Sequence, residues 1–290
     1  MAAPGTLRFR SDVLATVRLF FRQQGFCEVE TPTLVRSPGM EPQLCAVPAG
    51  ERWLITSPEY HMKRLLASGM DRIYQIARCF REDERGAHHA REFTMLEWYR
   101  AGVGYEALME DCEALLAHLL PLHRGAASLA APFERLTVAE AFLRHAGADA
   151  SALPEDDFFR LLVERVEPQL GRQRPTVLYE WPAAYAALAR LKPDDPAVAL
   201  RFELYAGGIE IANAFDELCD AAEQRRRLLG EQATRRARGL EVYPLDERFL
   251  DAVGRMPAAS GIALGLDRLV MLLWGARHIE EVRAFAEDDI

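Results

Sequence analysis

The chain has 290 residues, half of them hydrophobic, and a formal net charge of −9 at pH 7. This length and apolar content allow one large domain or two small ones and exclude a mostly disordered chain. Proteins that mainly bind nucleic acid usually carry a basic surface, so the acidic balance argues against tRNA as a partner.

The five cysteines are widely spaced and form no CxxC pair, which indicates reduced thiols rather than a zinc site or a disulfide framework. The N-terminal residues lack the apolar region of a signal peptide. The longest apolar run near the end, residues 269–274, is far too short to span a membrane. We therefore expect a cytoplasmic protein without a membrane segment.

The predicted elements of the first half alternate between helices and strands. Apolar residues recur at helical spacing over 11–24, with Ser11 as a possible cap. Ser57-Pro58-Glu59 opens a second helix, because Ser is a favoured N-cap and Pro a favoured first-turn residue. Strands are expected over 73–80 and 92–100. Further helical patterns cover residues 105–120, 137–146 and 156–166.

In the second half, two β-type runs around Gly207-Gly208 predict a hairpin. A helix is expected over 219–237, ended by Gly239. The arginines of this helix alternate with acidic residues at helical spacing, which favours a solvated helix face over a basic nucleic-acid patch. They are Arg225, Arg226, Arg227, Arg235, Arg236 and Arg238.

The expected fold class is α+β, with a mainly antiparallel sheet flanked by helices. We predict a single catalytic domain over residues 1–290, in which about 121–175 form a possible helical insertion. No glycine-rich dinucleotide loop or Walker-type loop is present. An ATP site in this chain must therefore be built without those devices.

Three sequence blocks follow one another in a fixed order: GFCEVETP at 25–32, CFRED through REFTMLEWY at 79–99, and GIALGLDRL at 261–269. They resemble the three signature motifs of class II aminoacyl-tRNA synthetases, most closely the lysyl branch. The resemblance spans about residues 8–290. It implies that family's fold, the formation of an aminoacyl-adenylate from ATP, and a homodimer built on the first block. Since the first block begins about two dozen residues in, we expect no anticodon-binding domain.

The second and third blocks carry the residues that the resemblance assigns to ATP. Arg81 would grip the α-phosphate and Arg268 the γ-phosphate as the catalytic cations, since a guanidinium presents a planar fork to phosphate oxygens. Phe93 would stack on the adenine. Taken alone, these residues could equally be a surface ion pair, a helix-start pair and core packing. The other ATP-binding residues implied are Glu82, Asp83, His89, Ala90, Glu210, Ile211 and Gly265.

Glu203 and Glu210 match the two acidic residues that hold Mg²⁺ beside ATP in the family. Two glutamates on neighbouring hairpin strands can reach one cation, although the same pattern also fits an exposed hairpin without a metal. Glu210 has the opposite strand parity to the acidic residue Glu217. A bulge or the hairpin bend must therefore turn Glu210 inward.

The resemblance also implies an acidic pocket for the organic substrate. Glu59, Glu97 and Glu217 match residues that bind the amino groups of lysine in lysyl-tRNA synthetases. Three converging carboxylates are costly unless cations complete them, and a diamino acid supplies two ammonium groups. The other substrate-binding residues implied are Ser57, Pro58, Tyr99, Asn213, Phe215 and Ala263.

Within the family, the chain is most similar to the ligases that attach (R)-β-lysine to elongation factor P and lack an anticodon domain. Ala263 is a marker of that branch, because the tRNA synthetases carry Gly at this pocket position. The resemblance implies two partners besides ATP and Mg²⁺, (R)-β-lysine and elongation factor P. The alternative is a truncated lysyl-tRNA synthetase-like enzyme that activates α-lysine for an RNA acceptor.

The chain departs from the family pattern at several positions. Asp83 stands where the family has Glu, and Ala90 where it has Asn. Ala214 replaces a Gly and is expected to add a methyl group beside the substrate. Arg91 is hypothesised to supply a replacement contact to phosphate or carboxylate. A third possibility, a scaffold without catalysis, is disfavoured because the phosphate-binding arginines and the acidic pair are all present.

Overall fold

The computed structural model describes residues 2–289, which are organised around one nine-stranded sheet and eight α-helices. The strands are β1 (Cys27–Glu28), β2 (Leu34–Val35), β3 (Pro48–Ala49), β4 (Arg52–Leu54), β5 (Arg72–Phe80), β6 (Glu92–Ala101), β7 (Glu134–Thr137), β8 (Thr176–Pro182), β9 (Leu191–Lys192), β10 (Asp195–Ala206), β11 (Ile209–Asp216) and β12 (Ala259–Gly265). The helices are α1 (Pro4–Gln23), α2 (Glu59–Ala67), α3 (Glu106–Leu119), α4 (Val138–Ala146), α5 (Glu155–Leu161), α6 (Ala221–Ala237), α7 (Glu247–Val253) and α8 (Leu266–Trp274).

The large sheet has the strand order β1-β5-β6-β12-β11-β10-β8-β7, with β9 paired to β10. All its pairs are antiparallel except β1–β5 and β7–β8. A second, three-stranded sheet has the order β2-β4-β3. The predicted α+β class and mainly antiparallel sheet are confirmed.

One row of residues crosses the middle of the sheet. Glu97 on β6 lies opposite Ala263 on β12, which lies opposite Asn213 on β11, and Asn213 lies opposite Glu203 on β10. Side chains in such a row point to the same face, because directly paired residues share a side of the pleat. The strand register alone thus aligns four residues that the sequence assigned to the site.

The β10–β11 hairpin turns at Gly207 and Gly208, both with positive φ. Its pairing shifts by one residue between Leu204, opposite Ala212, and Tyr205, opposite Glu210. The extra residue on β11 is a β-bulge, which reverses side-chain parity beyond it. Glu210 consequently reaches the same face as Asn213, and the predicted bulge is confirmed.

Proline and serine residues mark the starts of helices α1 and α2. Helix α1 begins at Pro4, with Pro in its first turn, so the predicted start at Ser11 is wrong and Ser11 lies inside the helix. Proline is well tolerated there because first-turn amide groups need no intrahelical acceptor. At α2, Pro58 occupies the N-cap position, so the predicted Ser57 N-cap is one residue too early. Ser57 still contributes to the helix start, because its Oγ accepts from the Glu59 amide at 3.0 Å.

The section over residues 121–175 is not purely helical. Strand β7 pairs in parallel with β8 and extends the large sheet at its edge. Helices α4 and α5 pack there on a core cluster that includes Phe142, Phe158 and Trp181. The section therefore adds both a strand and helices to the sheet that carries the central row. No helix among residues 2–289 is long and apolar enough to cross a membrane.

Two sequence expectations for buried positions are wrong. Arg235 on α6 is fully buried rather than part of a solvated face, and its guanidinium lies 4.2 Å from the centre of the Tyr243 ring. Ala214 is fully buried in the main core, and it lies on the face of β11 opposite to Asn213. Ala214 therefore adds its methyl group to the core and not to the pocket.

Candidate functional site

A cavity of about 350 Å³ opens over the sheet face that carries the central row. It is bounded by β6, β10, β11 and β12, by the start of α2 and by the start of α8. The structure thus brings together residues from all parts of the chain. Those sequence-predicted site residues that line it are Ser57, Glu59, Arg81, His89, Ala90, Phe93, Glu203, Glu210, Ile211, Asn213, Phe215, Ala263, Gly265 and Arg268.

Six predicted residues lie outside this lining. Glu97, Tyr99 and Glu217 are buried beside it, and Pro58 occupies the turn that leads into α2. Glu82 and Asp83 line a separate surface groove together with Arg91. Arg91 is held there by Glu82, with 2.5 Å between Nη2 and Oε1, and no atom of Arg91 lines the main cavity.

At one end of the cavity, the Arg81 guanidinium lies over the Phe93 ring, 5.0 Å from its centre. Arg81 Nη1 donates to Glu84 at 3.3 Å, and its buried Nε has no hydrogen-bond partner among the described residues. The aromatic face and the guanidinium are therefore adjacent, as binding of a base and a phosphate of one nucleotide requires.

Arg268 projects into the cavity from the start of α8. Its Nη1 donates to the carboxylate and to the backbone oxygen of Glu210, both at 2.8 Å. Its Nη2 lies 2.6 Å from His89 Nε2. Burial and the nearby Arg268 charge lower the pKa of His89, so the neutral ring accepts from Arg268.

The base of Arg268 is fixed by its neighbour Asp267. The Thr94 amide on β6 donates to Asp267 Oδ2 at 2.8 Å, and Arg10 of α1 lies 2.6 Å from Asp267 Oδ1. These contacts join the first helix, the central sheet and the third sequence block. They set the direction from which Arg268 enters the cavity.

The acidic pair lies beside this arginine. Glu203 accepts from Arg201 Nη2 at 2.6 Å and from the Tyr205 hydroxyl at 2.7 Å. Burial raises the pKa of Glu203 to about 7, opposed by the Arg201 charge and increased by the neighbouring Glu210 carboxylate. Neighbouring carboxylates offer the oxygen ligands that a hard cation prefers, so this pair is a suitable environment for one.

Beside the cavity, near the start of α2, Lys63 is buried between two carboxylates. Its ammonium nitrogen lies 2.6 Å from Glu59 Oε1 and 2.6 Å from Glu217 Oε2. Lys63 and Glu217 are each about 1% exposed. Burial would lower the pKa of Lys63, but the two carboxylates outweigh it and raise that pKa, so the ammonium stays charged.

Glu97 lies next to this ion triad and has no cationic partner of its own among the described residues. Its carboxylate accepts a very short hydrogen bond from the Ser57 hydroxyl and one of 3.1 Å from Tyr99. Burial first, and then the Glu59 charge, raise the pKa of Glu97 to about 8. The pKa of Glu217 is also raised to about 8, mainly by burial. The site therefore favours a bound ammonium group.

Close packing behind these acids depends on Gly261. A Cβ atom there would lie 2.1 Å from Tyr99 Cε1 and 2.4 Å from Glu217 Oε1. Any side chain at this position would displace both. The absence of a Cβ at Gly261 thus allows the two polar groups to approach the sheet backbone.

Sequence reasoning missed two residues of this site. Lys63 follows Glu59 by four positions on one helix, a spacing that puts the two side chains in contact and could have been recognised. Glu41, in the segment between β2 and β3, also lines the cavity. It has no neighbour in sequence that signals its position.

A family model described as class II tRNA synthetases (D, K and N) matches residues 3–289. The chain belongs to this family. Among curated relatives, it is 40% identical to an elongation factor P–(R)-β-lysine ligase from Erwinia tasmaniensis, over 99% of this chain and 96% of that protein. The proteins of that name from Salmonella typhi and Hamiltonella defensa are 40% and 39% identical, over 96% and 95% of this chain and 94% and 93% of theirs.

Replacement of Lys63 by Met would leave Glu59 and Glu217 together without a counter-ion. Breaking a buried ion pair on one side typically costs about 3–5 kcal/mol, and we expect a loss of this size in the free energy of unfolding. Urea denaturation of Lys63→Met measures it. Lys192, the second lysine of the chain, is paired with Glu180 at the surface, so Lys192→Met should change little. Equal stability of the two variants would contradict the assigned role of Lys63.

The buried carboxyls also predict a pH dependence of stability. Glu97 has an ordinary pKa of 4.5 and one of about 8 in the fold. Between these values the folded chain keeps a proton that the unfolded chain has lost, so this contribution is complete below pH 4.5 and disappears as the pH rises through 8. The free energy of unfolding, from urea denaturation between pH 5.5 and 8.5, should fall less steeply with pH in Glu97→Gln than in the original chain. The exposed Glu110→Gln is the control, and an unchanged slope in Glu97→Gln would refute the assignment.

Proposed function

We propose that this chain activates (R)-β-lysine with ATP and transfers it to the ε-amine of a lysine of elongation factor P. The observation that carries the proposal is the buried acidic end of the cavity, where Glu97 lacks a counter-ion, beside the two arginines Arg81 and Arg268. The acidic end suits an amine-bearing substrate, and the two arginines suit the phosphates of ATP. The names of the relatives at about 40% identity support this acceptor and this isomer.

The reaction requires two steps. A carboxylate oxygen of (R)-β-lysine attacks the α-phosphorus of ATP, and the bond to the β-phosphate oxygen breaks, which gives β-lysyl-adenylate and pyrophosphate. The ε-amine of the acceptor lysine then attacks the carbonyl carbon and loses a proton, while AMP leaves with the electron pair. In this proposal Arg81 binds the α-phosphate and Arg268 the γ-phosphate, so both stabilise charge on oxygen. No covalent enzyme intermediate is needed.

Mg²⁺ would be held by Glu203 and Glu210, which lie on paired strands and line the cavity. The donor set fits, because hard cations prefer carboxylate oxygens and the pKa of Glu203 is already raised in part by Glu210. No group of three metal-ligating side chains occurs within residues 2–289, so phosphate oxygens would complete the coordination. The metal would neutralise charge on the phosphates.

We also propose a homodimer formed by the first sequence block and a cytoplasmic location, where ATP and elongation factor P are available. Leu19 on α1 and Leu34 on β2, on either side of that block, are 49% and 40% exposed. Association would cover such apolar side chains. Sedimentation equilibrium tests the dimer directly, and a monomer at micromolar concentration would contradict it.

The proposed function is tested by ATP–pyrophosphate exchange with (R)-β-lysine, with α-lysine and without amino acid, followed by intact-mass analysis of added elongation factor P. We expect exchange that favours (R)-β-lysine and a mass gain on the factor equal to one β-lysyl group. Exchange with α-lysine alone and no mass gain would indicate an RNA acceptor instead. The absence of any exchange would refute the activity.

Ala263 is proposed to select the isomer, since its methyl group stands in the central row between Glu97 and Asn213. One methyl group in a tight pocket is worth about 1–3 kcal/mol of discrimination. Ala263→Gly should therefore shift the ratio of kcat/KM values toward α-lysine by about tenfold or more. Ala214→Gly removes a methyl from the opposite face of β11 and should leave the ratio unchanged. A ratio unaffected in Ala263→Gly would contradict the proposal.

A further inference from the structure

Glu41 is an acidic residue of the cavity that none of the three sequence blocks contains. It lies in the segment between β2 and β3 and lines the cavity together with Glu59 and Arg81. The residue is partly exposed, but its Oε2 atom is shielded from solvent and has no hydrogen-bond partner among the described residues. A shielded carboxylate oxygen without a partner is costly unless a ligand supplies one.

Contacts with Arg235 of α6 and with Gly39 fix the position of Glu41. Arg235, which is fully buried, donates from Nη1 to the backbone oxygens of Glu41 and Leu44, both at 2.9 Å. On the other side, a Cβ atom at Gly39 would lie 2.6 Å from Glu41 Oε2 and 2.8 Å from Thr56 Oγ1. The backbone is thus held by a buried arginine, and the carboxylate fills space that only glycine leaves free.

A count of charges distinguishes Glu41 from most acids around the cavity. Only Glu41 and Glu97 have no cationic side chain within 4 Å in the described part of the chain. The paired acids and their cations are Glu59 and Glu217 with Lys63, Glu84 with Arg81, Glu203 with Arg201, Glu210 with Arg268, and Asp267 with Arg10. Glu41 and Glu97 are therefore the two acids without a direct cationic partner, and a diamino acid brings two ammonium groups that could supply one to each.

The two carboxylates belong to different parts of the fold: Glu41 lines the cavity from the segment between β2 and β3, and Glu97 is buried on β6 beside it. Glu97 contacts Ser57 and Tyr99 below the cavity. Burial first, and then the Glu59 charge, raise the pKa of Glu41 to about 7, and the Arg81 charge opposes this shift. Glu41 lines the cavity together with Arg81, the cation proposed for the α-phosphate, whereas Glu97 does not line it. Of these two acids, Glu41 is thus the one that shares the cavity wall with the proposed α-phosphate site.

We propose that Glu41 binds the ammonium group nearest to the reacting carboxyl group of the diamino acid, while Glu97 binds the distal one. This inference rests on the proposed function and deepens it, because it assigns a residue that recognises the position of the second amine. The amine at the β-carbon would then be read by a residue outside the three sequence blocks.

Three substrates distinguish binding of the proximal amine from binding of the distal amine. (R)-β-Lysine carries both, 6-aminohexanoate carries only the distal amine, and 3-aminohexanoate carries only the proximal one. A hydrogen bond to a charged group is worth about 1.5–3 kcal/mol, or roughly 10–150-fold in an equilibrium constant. In ATP–pyrophosphate exchange, Glu41→Gln should therefore raise KM for (R)-β-lysine by at least about tenfold with a smaller effect on kcat. Its kcat/KM for 6-aminohexanoate should stay within about twofold of the original value.

Glu231→Gln is the matched control. Glu231 lies on α6 outside the cavity, and its charge also acts on Glu41, so this variant removes a nearby negative charge without removing a ligand. It should leave every KM unchanged. Glu97→Gln should give the reverse selectivity, with a loss for 6-aminohexanoate and little change for 3-aminohexanoate.

An unchanged KM for (R)-β-lysine in Glu41→Gln, or an equal loss for (R)-β-lysine and 6-aminohexanoate, would overturn the inference. Circular dichroism and thermal melting establish that the variant folds. If it does not fold, Glu41→Asp keeps the charge on a shorter side chain and must lose kcat/KM for (R)-β-lysine relative to 6-aminohexanoate. Failure of the original chain to exchange with any of the amines would instead refute the proposed function itself.

Discussion

The burial of carboxylates under the cavity is the constraint on which the rest of the site depends. Burying Glu59 and Glu217 there without a cation would be costly, and the chain supplies one in Lys63. Because one ammonium contacts both acids, it joins α2 to the segment that follows β11. Burying this triad is not in itself a source of stability, since desolvation offsets much of the attraction. Its consequence is positional: Glu59 is held at the cavity wall and Glu97 is left free for a second cation.

The sheet explains how residues far apart in sequence reach this region. The residues of the central row, Glu97, Ala263, Asn213 and Glu203, come from four strands, and the antiparallel register brings them side by side. The row therefore runs from Glu97, beside the buried ion triad, to the acidic pair beside Arg268. One bulge on β11 then adds Glu210 to the same face. A slip of the register by one residue would turn the row into the core, so the packing of the opposite face also fixes the site.

Much of this was predictable from the sequence, for identifiable reasons. The hairpin follows from Gly207-Gly208, the start of α2 to within one residue from Ser57-Pro58-Glu59, and the bulge from the parity conflict between Glu210 and Glu217. Of the residues that were missed, Lys63 had a local signal in its spacing of four residues from Glu59, whereas the others had none. Arg235 reads as one of several surface arginines, and only the tertiary fold buries it against Tyr243 and the backbone of Glu41. Strand β7 has four residues and a single parallel partner, so neither its length nor its pattern distinguishes it from a loop.

The contacts of the two cavity arginines suggest why the site is ready to bind a polyanion. Arg268 is directed by Glu210, by the backbone and by neutral His89, while Arg81 is directed by Glu84 and the Phe93 ring. In each case an acceptor already holds the guanidinium at the cavity surface. Phosphate oxygens could replace these acceptors without a large movement of either arginine, and little reorganisation would be needed as charge develops. The Glu210 carboxylate released from Arg268 would then be available to a cation, so that binding of the nucleotide and of the metal would favour each other.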